Sequence, residues 1–475
     1  MRGSWLTAWL AAAVLAGCAV GPDYRPPTPP AGASAPLVSV DPALETTAAA
    51  PDDWWRLYDD PQLDRLVRQA FAANADLATA EANLSLARAA LEAARNGLYP
   101  QTNANFGALY GRDAATDEIL EIVGAKPQTT WLFDDILDVS YEFDLFGHVR
   151  RSIEASHADA GAALAARDSV RITVAAETIR AYAQICALGE QLAVARHSLE
   201  VVGHEAKITS QRYDAGAGSQ FDVVRTEGLV AQTRAAIPPL EGQRRAALFQ
   251  LTALLGRTPS QAPLEAQACV APPRLSAPIP VGDGAAILKR RPDVRLADRR
   301  LAAATARIGV ATADLYPRIT LRGLYGGASG DISDLTKNAG LTWGVGPSIN
   351  WTFPNLAGPL ARVHAASANA AAALAGFDST VLQALKETEQ SLSLYGAELD
   401  HHRALADSQA KAQQAFDIAH GQFLAGSIST LDLLTSEQNL VAANAAVAAS
   451  DAVLVQDQIA VFKALGGGWE SPPTG

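Results

Sequence analysis

Two periods alternate along this chain. Apolar residues recur every three or four positions through an Ala-rich segment ending at Tyr99-Pro100, then at every second position, then every three or four again over a very long stretch. Past the middle of the chain the succession begins again. Sliding the stretch from Asp76 to Tyr110 forward by 217 positions lays Asp76 on Asp293, Leu77 on Val294, Ala80 on Ala297, Leu91 on Ile308 and Tyr99-Pro100 on Tyr316-Pro317 without a gap. Proline bars its predecessor from the α region and removes a backbone donor, so each Tyr-Pro pair predicts a helix-to-strand junction.

In each repeat the pattern predicts a helix, two strands and a long helical hairpin. Asp60-Pro61 reads as an N-cap followed by Pro at the first helical position, starting a helix that should end near Leu98. A polar loop from about Arg112 to Asp134 separates two alternating segments. In the second of them Leu137, Val139, Tyr141, Phe143 and Leu145 share a face opposed by Asp138, Ser140, Glu142 and Asp144. The later repeat sets Trp343, Val345, Ile349, Trp351 and Phe353 against Thr342, Gly344, Gly346, Ser348 and Asn350, with Pro347 marking a bulge or an edge. Strands of about 10 residues, apolar outside and polar inside, suit a transmembrane β-barrel and expose those ten apolar side chains to lipid. A soluble sandwich would show the same alternation. Four strands cannot close a barrel, and an open edge cannot sit in lipid, so two or more copies must share one.

The long helices are predicted from Gly147 to Tyr213 and from about Gly358 to Phe423. At 1.5 Å per residue each would span roughly 100 Å. Leu385, Leu392 and Leu399 are seven apart, with Val381, Thr388 and Tyr395 in the companion register, which argues coiled-coil-like packing. Both end in matching turns 210 positions apart: Tyr213-Asp-Ala-Gly216 to Asp222, and Phe423-Leu-Ala-Gly426 to Asp432. Gly216 and Gly426 fit left-handed C-terminal caps, and Ser219/Asp222 and Ser429/Asp432 have capping-box spacing. Pro238-Pro239 should break the first return helix, and a Pro-rich linker, 259–282, joins the repeats 61–258 and 283–466 ahead of a short tail, 467–475.

The N-terminus changes where these elements must live. Met1-Arg2, an apolar run from Trp5 to Leu15 and the ending Leu15-Ala-Gly-Cys18 describe an export signal, residues 1–17, too short for a membrane span. The ending resembles a bacterial lipobox, which implies acylation of Cys18, the only covalent group expected; Ala19 rather than Asp implies the outer membrane. Export decides for membrane strands over a sandwich. Residues 18–60, rich in Pro, Ala, Ser and Thr, read as a tether without a core, ending in Trp54, Trp55 and Tyr58 as packing anchors. With only Cys186 and Cys269 left, no disulfide framework is expected, and Cys186 reads as a small buried hydrophobe. No later uninterrupted apolar run of about 18 residues predicts a transmembrane helix. The net charge of −12 argues against nucleic acid.

No catalytic arrangement emerges: there is no His-Glu-x-x-His, no Cys-x-x-Cys and no phosphate loop, so neither enzyme nor metal site is expected. His401 and His402 are adjacent and should point about 100° apart on a helix. A tethered coiled-coil scaffold or adhesin would share the lipobox and long helices but lack the greasy strand pairs.

Cys18-Ala-Val-Gly-Pro-Asp-Tyr24, Arg290-Arg-Pro-Asp293 through Leu315-Tyr-Pro317, the tips at Gly216 and Gly426, and Lys463-Ala-Leu-Gly-Gly-Gly-Trp469 together carry a family resemblance. The chain resembles an outer-membrane factor of tripartite resistance-nodulation-division efflux systems, the TolC/OprM-like family with its NodT-type lipoproteins. The resemblance implies a mixed α + β membrane protein: a homotrimer whose four strands per chain form a 12-stranded barrel and whose helices form a periplasmic α-barrel. It implies a passive exit duct for drugs or other small solutes, served by a periplasmic adaptor and an inner-membrane pump. The adaptor would dock at the tips, Gly216, Ala217, Gly218, Gly426, Ser427 and Ile428. By its offset from the tip glycine, Asp432 matches an acidic position of the family's periplasmic gate, whereas Thr435 stands where relatives often carry a second Asp.

Overall fold

The computed structural model describes residues 19–39, 45–46, 51–112, 118, 121–122, 124, 126, 129–275, 278–282, 284–335, 337 and 340–467. Cys18 and Trp469 lie outside them. The helices are α1 (Pro61–Ala73), α2 (Ala75–Arg95), α3 (His148–Asp214), α4 (Gln220–Ala235), α5 (Ile237–Leu254), α6 (Gly284–Arg290), α7 (Pro292–Ala313), α8 (Ala357–Leu424) and α9 (Thr430–Ala464). The long strands are β1 (Gln101–Gly111), β2 (Thr130–Phe143), β3 (Arg318–Ser329) and β4 (Leu341–Asn350). The chain divides into two compact units, residues 1–27, 84–163 and 297–377, and residues 28–83, 164–296 and 378–475.

The first unit holds the sheet. Tyr99, before Pro100, is extended at φ −113° and ψ 157°, so helical geometry stops at the predicted junction. The four strands pair antiparallel in the order β1-β2-β3-β4. Their register aligns Leu137, Tyr325 and Trp343 in one row, Val139, Gly323 and Val345 in the next, and Phe143, Ile319 and Ile349 in another, so one face of β2–β4 is mostly apolar, with Asp135 the exception. The opposite face carries Asp138, Ser140 and Glu142 with Arg322 and Thr320. Pro347 pairs in register with Leu321 on the edge strand, which removes the bulge alternative.

The boundaries shift at three of the ten apolar positions. β2 starts at Thr130 and stops at Phe143, so Leu145 lies past its end, where its N–H donates to Phe143 O. β4 stops at Asn350; Trp351 and Phe353 lie beyond it, stacked with centroids 4.5 Å apart, and Trp351 Nε1 donates to Leu315 O. An aromatic pair closing the strand end is the composition of a membrane–water interface rather than of a bilayer core.

The beginning of the expected tether is packed in this unit. Arg151 of α3 donates to Val20 O, Gly21 O and the Asp23 carboxylate, and Tyr24 packs against Ala158, Ala302 and Ala303 and bonds Asp298. A Cβ on Gly309 would fall 2.7 Å from Arg151 Cγ, and one on Gly147 would fall 2.7 Å from Ala19, so both glycines clear the strap's path. In the second unit, Glu389 accepts the N–H groups of Val38 and Ser39. Residues 20–24 and 38–39 are thus fastened to the body of the chain, the first group through the buried Arg151, so the N-terminal segment is a strap at these points although it has no core of its own.

The second unit holds the main core, where Trp54, 1% exposed, stacks on Phe462 at 4.5 Å among Leu63, Ile179, Ile185, Leu251 and Ile459. Trp55 and Tyr58 are buried beside it. The helix expected to run from Pro61 to Leu98 is broken at Asn74, whose side chain leaves α1 to accept the N–H groups of Asp76 and Leu77, capping α2. Its duplicate position is Arg291, the break between α6 and α7, where Pro292 enforces the same interruption. Arg291 binds both oxygens of Asp293, Glu387, and the carbonyl of Ala464, joining two of the sequence's marked stretches. The return helix breaks at Ala236, just before Pro238-Pro239. In α8 Val381, Thr388 and Tyr395 are buried, with Leu392, so the companion register faces the core. By length and composition α9 could cross a membrane, although it lacks an uninterrupted apolar run; it buries Val455, Ile459 and Phe462 in this core.

Cys186 is fully buried, as expected, and it is bonded to Cys269 of the linker, a single crosslink rather than a framework. The linker passes so close to α3 that a Cβ on Gly189 would lie 2.4 Å from Cys269 O, and Arg244 holds that carbonyl at 2.8 Å. Sequence separation of 83 hid the approach. Closing a loop of that length is worth about 4–5 kcal/mol on the chain-entropy model. Cys269→Ser and reduced wild-type protein should therefore show the same lowered urea midpoint, measured by intrinsic fluorescence, and denatured unreduced protein should offer no thiol from this pair to alkylation. A reactive Cys186 in unreduced protein refutes the bond.

Candidate gate and docking tips

Each long helix ends in the same hydrogen-bonded turn. Gly216 and Gly426 adopt φ +74° and +72°, a region that costs a side chain but not glycine. Ala217 N donates to Arg212 O at 2.8 Å and Ser427 N to Gln422 O at 2.9 Å, the six-to-one bonds of a Schellman cap. Gly216, Ala217, Gly218, Gly426 and Ser427 are exposed, and Ile428 is half-buried. No atom lies within 4 Å of where a Cβ on Gly216 or Gly426 would sit, so backbone conformation alone selects glycine there. Phe221, Val224, Leu424 and Leu431 add exposed apolar area around the turns.

The caps of the return helices differ. Ser219 Oγ accepts Asp222 N at 3.2 Å and donates to its carboxylate at 2.7 Å. At the second tip the box is complete: Asp432 N donates to Ser429 Oγ at 3.2 Å, and the Asp432 carboxylate accepts Ser429 N at 3.2 Å and Ser429 Oγ at 2.6 Å. These bonds hold the Asp432 carboxyl below the usual carboxylate range. Thr435 Oγ1 turns back to Leu431 O at 2.8 Å. His401 faces Glu398 at 3.3 Å and His402 faces Asp451 at 3.9 Å, so the adjacent pair does not converge.

A buried acid near the second tip was not anticipated. Glu437 of α9 is 1% exposed, on the face that carries Leu433, Leu434 and Leu440, and neither of its carboxyl oxygens has a hydrogen-bond partner among the described residues. Glu205 of α3 is buried nearby, with His420 Nε2 of α8 3.5 Å from its Oε1. Burial, and then the charge of Glu205, push Glu437 up to about 7. The signal was available: a Glu in phase with an apolar stripe.

The unequal caps give a prediction. A depressed Asp pKa contributes stability above the unfolded value and loses it as pH falls through the folded one. At neutral pH Asp432→Asn should speed amide exchange in the first turn of α9 more than Asp222→Asn does in α4, and the excess should vanish once the wild-type carboxyl is protonated at low pH. Equal effects at neutral pH would show that the backbone bond of Ser429 adds nothing.

The family model for outer membrane efflux proteins matches residues 66–257 and 285–467, once on each repeat. The chain is 30% identical over 448 residues to nodulation protein T of Rhizobium leguminosarum bv. trifolii, covering 92% of this chain and 91% of that protein. It is 29% identical to the probable outer membrane lipoprotein SilC of Salmonella typhimurium, with coverage of 96% and 97%. Among solved structures, the outer-membrane channel OprN aligns with a TM-score of 0.84 at 33% identity, over 95% of this chain and all of that one. The open state of the Neisseria gonorrhoeae MtrE outer membrane channel aligns at 0.81 and 25% identity, over 95% and 99%. Matched on both repeats and nearly end to end, the chain belongs to the outer membrane efflux protein family.

Proposed function

We propose that three copies of this chain form the outer-membrane exit duct of a tripartite efflux pump, passively conducting small solutes delivered by an inner-membrane pump through a periplasmic adaptor. The four-stranded sheet carries the reading: one face is mostly apolar, the other mostly polar, and among the described residues β1 and β4 each have a partner on one side only. Three such sheets joined edge to edge give 12 strands, all backbone groups paired, and a polar lumen. Cys18 carries the lipid in this reading. The packing of Ala19 against Gly147, four residues past the end of β2, supports an anchor close to the strands' helical end. The tips meet the adaptor, and Asp432, repeated around the axis, lines the gate, where mutual repulsion would act against the depressed pKa that Ser429 gives it within one chain.

Reconstitution tests the duct. Detergent-extracted protein should weigh three chains and conduct ions in a planar bilayer; a stable, non-conducting monomer would favour the tethered scaffold. Val345→Arg, on the apolar face, should cost about 2–4 kcal/mol per chain and reduce outer-membrane assembly, while Gly346→Arg on the polar face should assemble and alter ion selectivity. Equal assembly of both would refute the assignment of faces.

For docking, substitution at Gly426 would confound contact with strain at positive φ. Ala217→Trp and Ser427→Trp avoid that strain and should abolish efflux in drug-sensitivity assays with unchanged channel level. Survival of efflux in both would move docking elsewhere.

A further inference from the structure

Glu437 stands out because the fold does not require a buried acid there. Its counterpart in the first hairpin, 210 positions earlier, is Glu227, which is exposed. A carboxylate costs several kcal/mol to bury unless it is paired or takes a proton. Among the described residues no ion pair reaches Glu437, and the one charge that shifts it is that of another acid, Glu205. From α3 comes Glu205, already faced by His420 of α8; His204 and Lys207 on α3 are exposed, as is Asp417 on α8. On α4, Thr226, Leu229 and Thr233 are buried, Arg225 is half-buried, and Glu227 and Arg234 are exposed. Val202, Leu229 and Leu434 form a small apolar cluster joining α3, α4 and α9, so this is where the first hairpin grips the second near its tip.

We propose that Glu437 is a proton-operated latch: protonated, it lets α9 stay packed on α3 and α4; when the proton passes to periplasmic water, the carboxylate left beside Glu205 drives the first turns of α9 out of that contact and opens the periplasmic end. This rests on the reading of the tips as a gate. The packed state holds the proton more tightly than the released state, in which Glu437 is hydrated and returns towards an ordinary carboxylate. Packing is therefore firmest below the ordinary Glu range and is lost as pH rises through about 7. Glu205 sharpens the response, since two carboxylates sharing a buried site cannot both ionise cheaply. Asp432 does not serve this role, because it is exposed and its charge is held by Ser429.

The test uses full-length protein in lipid nanodiscs and planar bilayers. Amide exchange in residues 430–441, corrected for intrinsic chemistry, should be about tenfold or more faster at about pH 8.5 than at about pH 5.5, with a midpoint near 7. Glu437→Gln should stay protected at both pH values, Glu205→Gln should lower the midpoint and shrink the pH response because the charge that helps raise the Glu437 pKa is gone, and Glu227→Gln should match wild type. A flat wild-type profile, or a Glu437→Gln profile like that of wild type, overturns the latch. Should Glu437→Gln fail to fold, an unshifted midpoint in Glu205→Gln overturns it instead. Conductance separates the two readings: conducting channels with flat exchange refute the latch and keep the duct, whereas pH-responsive exchange without conductance at any pH refutes the duct and the opening, and keeps only the proton-dependent packing of α9.

Discussion

Unpaired backbone groups set the terms for this protein. A strand edge exposes N–H and C=O groups that lipid cannot satisfy, and each chain supplies four strands with two such edges. Folding of one chain cannot remove them. The apolar face and the open edges together make assembly part of the fold, because the sheet becomes compatible with a bilayer only when another copy occupies each edge. The family to which the chain belongs is built from channels, and this constraint is the physical reason a duplicated chain of this kind makes one.

Away from the sheet, the second unit has the opposite problem: long helices with narrow apolar stripes need something to grip. Its core answers with the stacked Trp54 and Phe462, and with Arg291 bound to two carboxylates and the Ala464 carbonyl. Removing one partner from such a buried charge leaves the rest uncompensated, so these contacts fix one geometry more than they add stability. The Cys186–Cys269 bond ties the linker to α3 at the same core. The turns proposed for docking and gating, by contrast, sit at helix ends, where hydrogen bonds are local and small changes in charge can shift packing.

The two repeats have nearly the same elements in different surroundings. Gly216 and Gly426 make the same turn, yet only Ser429 and Asp432 complete both halves of the capping box. Glu227 is solvated where Glu437 is enclosed. Duplication preserved the backbone, while the surroundings of each copy changed what equivalent side chains do.

Much of this was fixed by local chemistry and could be read directly from the chain. Tyr-Pro pairs set the helix-to-strand junctions, alternation from Leu137 to Phe143 set the strand faces, and glycines with Ser-x-x-Asp spacing set the tips, because each depends on neighbours within a few residues. The break at Asn74 is not legible in the pattern, because a polar residue inside a helical stretch interrupts it only when its side chain turns to cap the next helix. The Cys186–Cys269 bond, the strap under Arg151 and the burial of Glu437 depend on segments far apart in sequence. No local pattern carries those distances; only packing of α3 against the linker, the N-terminal strap and α9 decided them.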